Sequence, residues 1–208
     1  GAPANERSTE LAVALPLAPN SLDKYWIRSR ILADLEHGSL PDDAIDAERL
    51  RGSTPPGRLG QRLVTLLAED AMRISQTANR LRNNQDEQFI EIGLDLVEGN
   101  SPQLLWPDEL IVDPMHPVHL RGRVGVRGHQ IVHAVATRAN ARPLLNLWID
   151  LLAVTVATDE AEWFGALVSS DGVLQMAAPA PDHARDILAG LARLVWWSNQ
   201  QLIPLPVK

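Results

Sequence analysis

Residues 120–137 read LRGRVGVRGHQIVHAVAT, and this stretch decides the fold. Over residues 118–127, before Gly128-His129, side chains alternate in character, which is the period of a β-strand with one buried face. A strand over 118–127 places Leu120, Gly122, Val124 and Val126 on one face and Arg121, Arg123, Gly125 and Arg127 on the other. Gly128-His129 then forms a tight connection to a further strand over 130–137. The centre of the chain is therefore predicted to be sheet.

The flanking segments predict more strands and several helices. Residues 89–97 alternate apolar with polar side chains, which indicates a half-buried strand. Asp171-Gly172 between two apolar runs is typical of a hairpin. The other predicted strands are 104–105, 110–112, 162–169 and 173–177. The predicted helices are 24–37, 44–50, 58–82, 143–155 and 181–200.

Two of these helices carry an apolar stripe at helical spacing, which predicts the face that packs on the core. In the helix over 58–82 the stripe is Leu59, Leu63, Leu66, Leu67, Ile74 and Leu81. In the helix over 181–200 it is Ala184, Ile187, Leu188, Leu191, Leu194 and Val195.

The order of the elements predicts a mixed α/β fold, in which a central, mostly antiparallel or mixed sheet is flanked by helices. Residues 1–20 are rich in Ala and Pro and are predicted to be an extended lead-in. Residues 21–208 are predicted to form a single domain, with a helical part over 21–84 and a sheet–helix core over 85–208.

Composition excludes several classes of protein. The chain has 208 residues and no cysteine, so disulfides, thiolate zinc sites and a cysteine nucleophile are excluded. No uninterrupted apolar window approaches the length of a membrane span, and the first residues lack the pattern of a signal peptide. The net charge of -7 argues against a free-standing DNA-binding protein, so any contact with nucleic acid is expected to be a local patch.

The arginines at 121, 123 and 127 allow two interpretations. Guanidinium groups pair well with phosphate, so the stripe is a candidate for DNA contact. Alternatively, the arginines pair across the strands with Glu91 and Asp95, and cross-strand charge pairing is the commoner arrangement.

The remaining polar candidates indicate no catalytic site. His116, His119, His129 and His133 lie close in sequence but without a carboxylate at ligand spacing, so no metal site is predicted. Glycine-rich phosphate loops, the G-x-S-x-G elbow and H-E-x-x-H are absent from the sequence. Trp196 and Trp197 are candidates for partner contact, since adjacent helical positions turn one ring away from the core.

Five segments in fixed order resemble the C-terminal domain of RecC, the gamma chain of exodeoxyribonuclease V. They are residues 22–28 continuing through Arg30-Ile31-Leu32 to Gly38, residues 55–60 (PPGRLG), residues 120–124 (LRGRV), residues 144–152 around Leu147-Trp148-Ile149, and Ala184 through Leu188, Leu191 and Trp197 to Pro204-Leu205-Pro206.

This resemblance implies a fold like that of the PD-(D/E)XK nucleases without their activity. Such nucleases hold Mg²⁺ between carboxylates on neighbouring strands. The positions expected to carry those ligands and the lysine are occupied here by Gly125, His133 and Val135. The resemblance therefore implies no catalytic residues, no metal and no cofactor.

The resemblance also implies the setting in which the domain works. RecB and RecD are the expected partner subunits, DNA is bound in the assembled complex, and the complex is cytoplasmic without membrane contact. The domain is expected to dock partner subunits and guide DNA strands during the repair of double-strand ends. Two alternatives stay open: an active Mg²⁺ nuclease using Glu69, Asp95 or Asp108, and an interaction module without DNA contact.

Overall fold

The computed structural model describes residues 20–96, 118–160 and 162–200. The predicted lead-in therefore lies outside the described residues apart from Asn20, as do the strands predicted at 104–105 and 110–112. The helices are α1 (Ser21–Glu36), α2 (Pro41–Leu50), α3 (Arg58–Arg82), α4 (Ala141–Thr158) and α5 (Pro181–Gln200). The strands are β1 (Gln88–Leu96), β2 (Val118–Val126), β3 (Gln130–Ala134), β4 (Phe164–Ser169) and β5 (Gly172–Ala177).

The first two helices begin three residues earlier than predicted, and each start has a local cause. Asn20 and Asp23 form a capping box, in which each side chain accepts a hydrogen bond from the other residue's main-chain N–H, at 2.9 and 3.1 Å. Pro41 opens α2, where proline suits the first helical turn because its missing N–H needs no partner there. Helix α3 has the predicted bounds and ends at the left-handed Asn83.

The predicted apolar stripe of α3 is wrong in part. Leu59 and Leu66 are 72% and 53% exposed. The buried face is instead made mostly of small residues, because α1 and α2 pack closely against α3 and leave little room for leucine side chains. Its members are Gly60, Val64, Leu67, Ala68, Ala71, Ile74, Ser75 and Ala78.

The mixed α/β class is confirmed, and the strands within the described ranges form two small sheets instead of one central sheet. Strands β1 and β2 pair antiparallel from Gln88↔Val126 to Leu96↔Val118. In the other sheet β3 is parallel to β4, and β4 is antiparallel to β5. A single bridge between Arg127 and Gln130 links the sheets around Gly128, whose φ of +59° permits the tight turn.

Strand β3 ends at Ala134, three residues before its predicted end, although bonding to β4 continues. The Val135 N–H donates to Val168 at 2.9 Å, and the Ser170 N–H donates to Thr137 at 3.1 Å. The predicted hairpin is confirmed, but its two-residue turn is Ser170-Asp171, one position before the predicted Asp171-Gly172, because Gly172 already pairs with Ser169.

The sheet of β3, β4 and β5 lies between two hydrophobic cores. On one face, Ile131 and Leu167 pack with α4, α5, β1 and β2. On the opposite face, Val132 and Val168 pack with α1, α2 and α3. The alternation of side chains along β3 and β4 therefore supplies both cores from the same strands.

Helix α4 is the main apolar element of the first core. It spans 141–158, longer than the predicted 143–155. Among the described helices it is the one long and apolar enough to cross a membrane by length and composition. Leu147, Leu151 and Leu152 are fully buried against the protein, and a core helix needs the same composition.

Helix α5 has the predicted bounds, and its apolar face is confirmed over the first turns. Ala184 and Leu188 are buried against the first core. Val195 was predicted on the same face and is 63% exposed, because it lies two turns beyond Leu188 and no described residue covers it.

Candidate nucleic-acid interface

Arg121 and Arg123 lie on the solvent face of β2. Val124 and Val126 of the same strand are buried, and alternation along the strand turns residues 121 and 123 outward. The antiparallel partner β1 presents Gly93 opposite Arg121 and Glu91 opposite Arg123. The sequence prediction of this face is therefore confirmed.

Arg123 lies over the ring of Phe89 on the neighbouring strand. Its guanidinium carbon is 4.4 Å from the ring centroid, which is a cation–π contact. Phe89 is itself 52% exposed. The contact holds the guanidinium beside the ring, and its N–H groups can still bind an anion.

Arg121 has no side chain facing it from β1. Gly93 lies opposite, and a Cβ built there would have nothing within 4 Å. Within the described part of the chain, neither Arg121 nor Arg123 makes an ion pair. Both cations are thus available to a ligand on this side of the sheet.

Arg127 differs from the other two arginines. Its Nη2 lies 3.8 Å from a carboxylate oxygen of Glu87, and about a quarter of its side chain is exposed. Glu87 precedes β1 and partly neutralises this cation. Arg127 is consequently the weakest of the three candidates for phosphate contact.

The predicted pairing of the arginines with Glu91 and Asp95 is not found among the described residues. Asp95 instead accepts from His119 Nδ1 at 2.5 Å, since the strand register places these two residues opposite each other. Glu91 lies opposite Arg123, whose guanidinium lies over Phe89 instead. The register between two strands cannot be read from the alternation within each strand, so parity alone could not decide which partner each charge would have.

Phe89 is the one residue of this surface that the sequence interpretation missed. Its position was available from the alternation of β1, because residues 89, 91, 93 and 95 share the polar face. A large aromatic side chain on the polar face of a strand is the signal that could have identified it.

The structure separates the three residues predicted to replace nuclease ligands. Gly125 lies on β2, in the sheet with β1, whereas His133 lies on β3 of the other sheet and Val135 follows it. A Cβ at Gly125 would lie 2.8 Å from Glu87 Oε1 and 3.4 Å from the Phe89 ring. An acidic residue at 125 would therefore meet an existing carboxylate.

His119, His129 and His133 are each paired with a different carboxylate. His119 pairs with Asp95, His133 Nε2 lies 3.1 Å from Asp150 of α4, and His129 Nε2 lies 3.5 Å from Glu160. Over the described ranges, no three His, Cys, Asp or Glu side chains come together as a metal site. His116 lies outside the described residues.

Trp196 and Trp197 lie in the last turns of α5. Their side chains are outside the part of the chain that the structure describes, as is the segment 204–206. Their predicted role in partner contact stays a prediction.

Comparison with known proteins places the chain in one family. The model of the RecC C-terminal domain family matches residues 1–208. A RecBCD enzyme subunit RecC of Mycolicibacterium smegmatis is 26% identical over 199 residues, which cover 93% of this chain and 17% of that protein. The corresponding subunit of Mycobacterium tuberculosis (strain CDC 1551 / Oshkosh) is 24% identical over 201 residues, covering 94% of this chain and 16% of that protein. The chain thus spans about a sixth of the length of these relatives, and it belongs to the RecC C-terminal domain family.

Proposed function

We propose that this chain is the C-terminal domain of a RecC subunit in a RecBCD complex, where it contributes docking and DNA guidance instead of catalysis. Its partners are RecB and RecD, and its substrate in the assembled complex is DNA with a double-strand end under repair. The complex works in the cytoplasm. The family match and the names of the mycobacterial relatives support this assignment.

The observation that carries the DNA-contacting role is the exposed pair Arg121 and Arg123 beside Phe89. Guanidinium groups bind phosphate oxygens in bidentate geometry, and an exposed aromatic ring can stack on an unpaired base. The chain as a whole carries a charge of -7, so binding is confined to this local patch and depends on the rest of the complex.

Removing the two cations tests this role. In a full-length RecC assembled with RecB and RecD, Arg121→Gln with Arg123→Gln is expected to weaken DNA binding. The association constant K falls as salt rises, so the slope of log K against log salt is negative. Each lost phosphate contact reduces the magnitude of this slope by about 0.7–0.9, and the double variant reduces it by about 1.5. Fluorescence anisotropy with a forked DNA over a series of salt concentrations measures the slope.

The matched control removes two exposed arginines elsewhere, through Arg49→Gln with Arg73→Gln on α2 and α3. We expect the control to bind DNA with an unchanged slope. Equal slopes for both double variants and the wild type would favour the alternative of an interaction module without DNA contact.

We also propose that the domain does not cleave DNA. Supporting this, Gly125, His133 and Val135 stand where the family resemblance expects nuclease residues. Gly125 and His133 lie in two different sheets, and Val135 follows the strand of His133. The carboxylates considered for a rearranged site are also dispersed, since Glu69 is on α3, Asp95 on β1, and Asp108 outside the described residues.

A variant that introduces a carboxylate at one of these positions tests this second proposal. Gly125→Asp is expected to give no Mg²⁺-dependent cleavage of linear or single-stranded DNA by the isolated chain. It is also expected to destabilise the fold by about 1 kcal/mol, because the new carboxylate crowds Glu87.

The control is Gly122→Asp, whose Cβ would meet nothing within 4 Å. We expect it to be neutral in both assays. Cleavage by the wild-type chain that disappears in Asp95→Ala and persists in Arg123→Gln would instead establish an active nuclease.

A further inference from the structure

Strand β3 has one bonded edge and one open edge. The main-chain groups of residues 129, 135 and 137 bond toward β4 and its continuation. Gln130 bonds on the opposite side, exchanging two hydrogen bonds with Arg127 at 2.9 and 3.2 Å. Because main-chain groups alternate along a strand, those of Val132 and Ala134 also point to the side away from β4.

Beyond Gln130 no described strand pairs along this open edge, because β2 turns away to pair with β1. The carbonyl of Val132 accepts from Arg82 Nη2 at 3.4 Å, which closes the edge at that point. The N–H and C=O of Ala134 are left facing outward. Unpaired main-chain groups of this kind are a template for an added strand.

The open edge at Ala134 forms the floor of a groove of about 680 Å³. One wall is α1, which presents the exposed Trp26 with its ring 5.0 Å from that of Tyr25. The other wall is the start of α4, which contributes Asn140 and Arg142. An extended polypeptide laid along the edge would thus lie between an aromatic wall and a polar one.

The charges around the groove favour an acidic occupant. Arg142 is exposed and makes no ion pair within the described part of the chain. Asn140 precedes α4 without a side-chain hydrogen bond to the helix, and the first turn holds no acidic residue, so its N–H groups add positive potential. The acid of the opposite wall, Glu36, is already engaged by Arg82 and Ser75.

We propose that this groove binds an extended, acidic segment of a partner subunit, which adds to β3 as a strand along Ala134. A carboxylate of the segment lies against Arg142 and the start of α4, and an apolar side chain packs on Trp26. This inference rests on the proposed docking role and assigns it a surface. A nucleic-acid strand fits less well, because the described lining of the groove offers Arg142 as its one free cation and a strand edge suited to main-chain amides.

Crosslinking and hydrogen exchange test the identity of the occupant. A photoreactive amino acid is placed at Ser29, on the α1 wall, in full-length RecC assembled with RecB and RecD on DNA. The expected product is a crosslink to an Asp- or Glu-containing segment of a partner subunit. Amide exchange at residues 132–136 is expected to slow by about tenfold or more on assembly. A crosslink to DNA, or unchanged exchange at these amides, overturns the proposal.

Matched proline variants test the strand addition. Ala134→Pro removes an outward N–H and leaves the bonds to β4 intact, since proline is tolerated at such positions of edge strands. The control is Gln175→Pro on β5, where the alternation of the β4–β5 ladder also turns the N–H outward. Ala134→Pro is expected to weaken assembly about tenfold, and Gln175→Pro by less than about twofold.

Charge variants test the acidic contact. Arg142→Glu is expected to weaken assembly about tenfold. The control Arg138→Glu changes an exposed arginine that pairs with Asp171 outside the groove, and is expected to change assembly less than about twofold. Circular dichroism confirms that each variant is folded before assembly is measured by analytical ultracentrifugation.

The outcomes separate this inference from the docking role on which it rests. If assembly slows exchange elsewhere in the domain while Ala134→Pro and Arg142→Glu assemble like the wild type, strand addition fails and docking stands. If no amide of the domain changes its exchange on assembly, both fail.

Discussion

At the scale of single residues, Glu48 is the most constrained ionised group among the described residues. Its side chain is fully buried and accepts two hydrogen bonds from Arg30, both at 2.7 Å. Arg51 also donates to it, and Ser53 donates at 3.3 Å. Burial alone would raise the pKa of Glu48, but the hydrogen bonds from the two arginines outweigh burial and hold the pKa below its ordinary value.

Removing this charge is expected to destabilise the protein. Glu48→Gln leaves two arginines beside a buried neutral group, which costs about 2–3 kcal/mol in free energy of unfolding. Urea unfolding followed by circular dichroism measures the change. Asp46→Asn is the control, because it breaks only an exposed pair with Arg49 and is expected to cost less than about 0.5 kcal/mol.

The same group gives stability a dependence on pH. Because the folded pKa of Glu48 is lowered, its contribution is fully present above the unfolded pKa and is lost as the pH falls through the folded pKa. The wild type is therefore expected to lose more stability than Glu48→Gln between neutral pH and strongly acidic pH. Parallel curves for the two proteins would contradict this role.

Residue-scale features of the candidate interface were only partly available from the sequence. Parity placed Arg121 and Arg123 outward correctly, because a period of two follows from the strand alone. The partners of the charges depend on the register between β1 and β2, which fixes Asp95 opposite His119 and leaves Gly93 opposite Arg121. The residue pattern of β1 or of β2 alone does not determine that register.

At the scale of elements, helix α3 shows where periodicity is insufficient. Leucines at 59 and 66 satisfy the spacing of an apolar stripe, yet both are exposed, and the buried face consists mostly of small residues such as Ala68, Ala71 and Ala78. Close contact with α1 selects the small face, and only the neighbouring helix can reveal that choice. The helix bounds were nevertheless predicted correctly, since they depend on local signals at Gly57 and Asn83.

Gly60 of α3 lies against the loop that precedes the helix, and this close approach can be tested directly. A Cβ at residue 60 would lie 1.8 Å from the carbonyl oxygen of Pro55, so the loop before the helix has to move. Gly60→Ala is therefore expected to destabilise the protein by about 2 kcal/mol, although alanine in a helix would otherwise stabilise it by about 1 kcal/mol. Thermal unfolding measures the sign of the effect.

The control for that substitution is Gln61→Ala at the next, exposed position of α3. We expect it to be neutral or slightly stabilising, because it changes helix propensity without altering a contact. A stabilising effect of Gly60→Ala would contradict the close approach of Pro55 to α3.

At the scale of the whole molecule, the prediction of one central sheet failed to anticipate the change of sheet at residues 127–130. Both strands of the stretch 120–137 were identified, but a tight turn between them normally implies a continued hairpin. Here the pairing stops after the bridge between Arg127 and Gln130, because β2 is bonded to β1 and β3 to β4. Which strands pair is decided by contacts distant in sequence, and β1 and β4 are both remote from this turn.

The position of β3 and β4 between two cores predicts that the described structure unfolds as one unit. Ile31 is fully buried in the core of α1–α3, and Leu151 is fully buried in the core around α4. Each substitution by alanine is expected to cost about 2–5 kcal/mol. Because both cores use the same two strands, Ile31→Ala is expected to accelerate amide exchange in α4 as well as in α1. Leu151→Ala is likewise expected to accelerate amide exchange in both α1 and α4. Exchange that accelerates only in the helix carrying the substitution would show that the helical part and the sheet–helix core unfold separately.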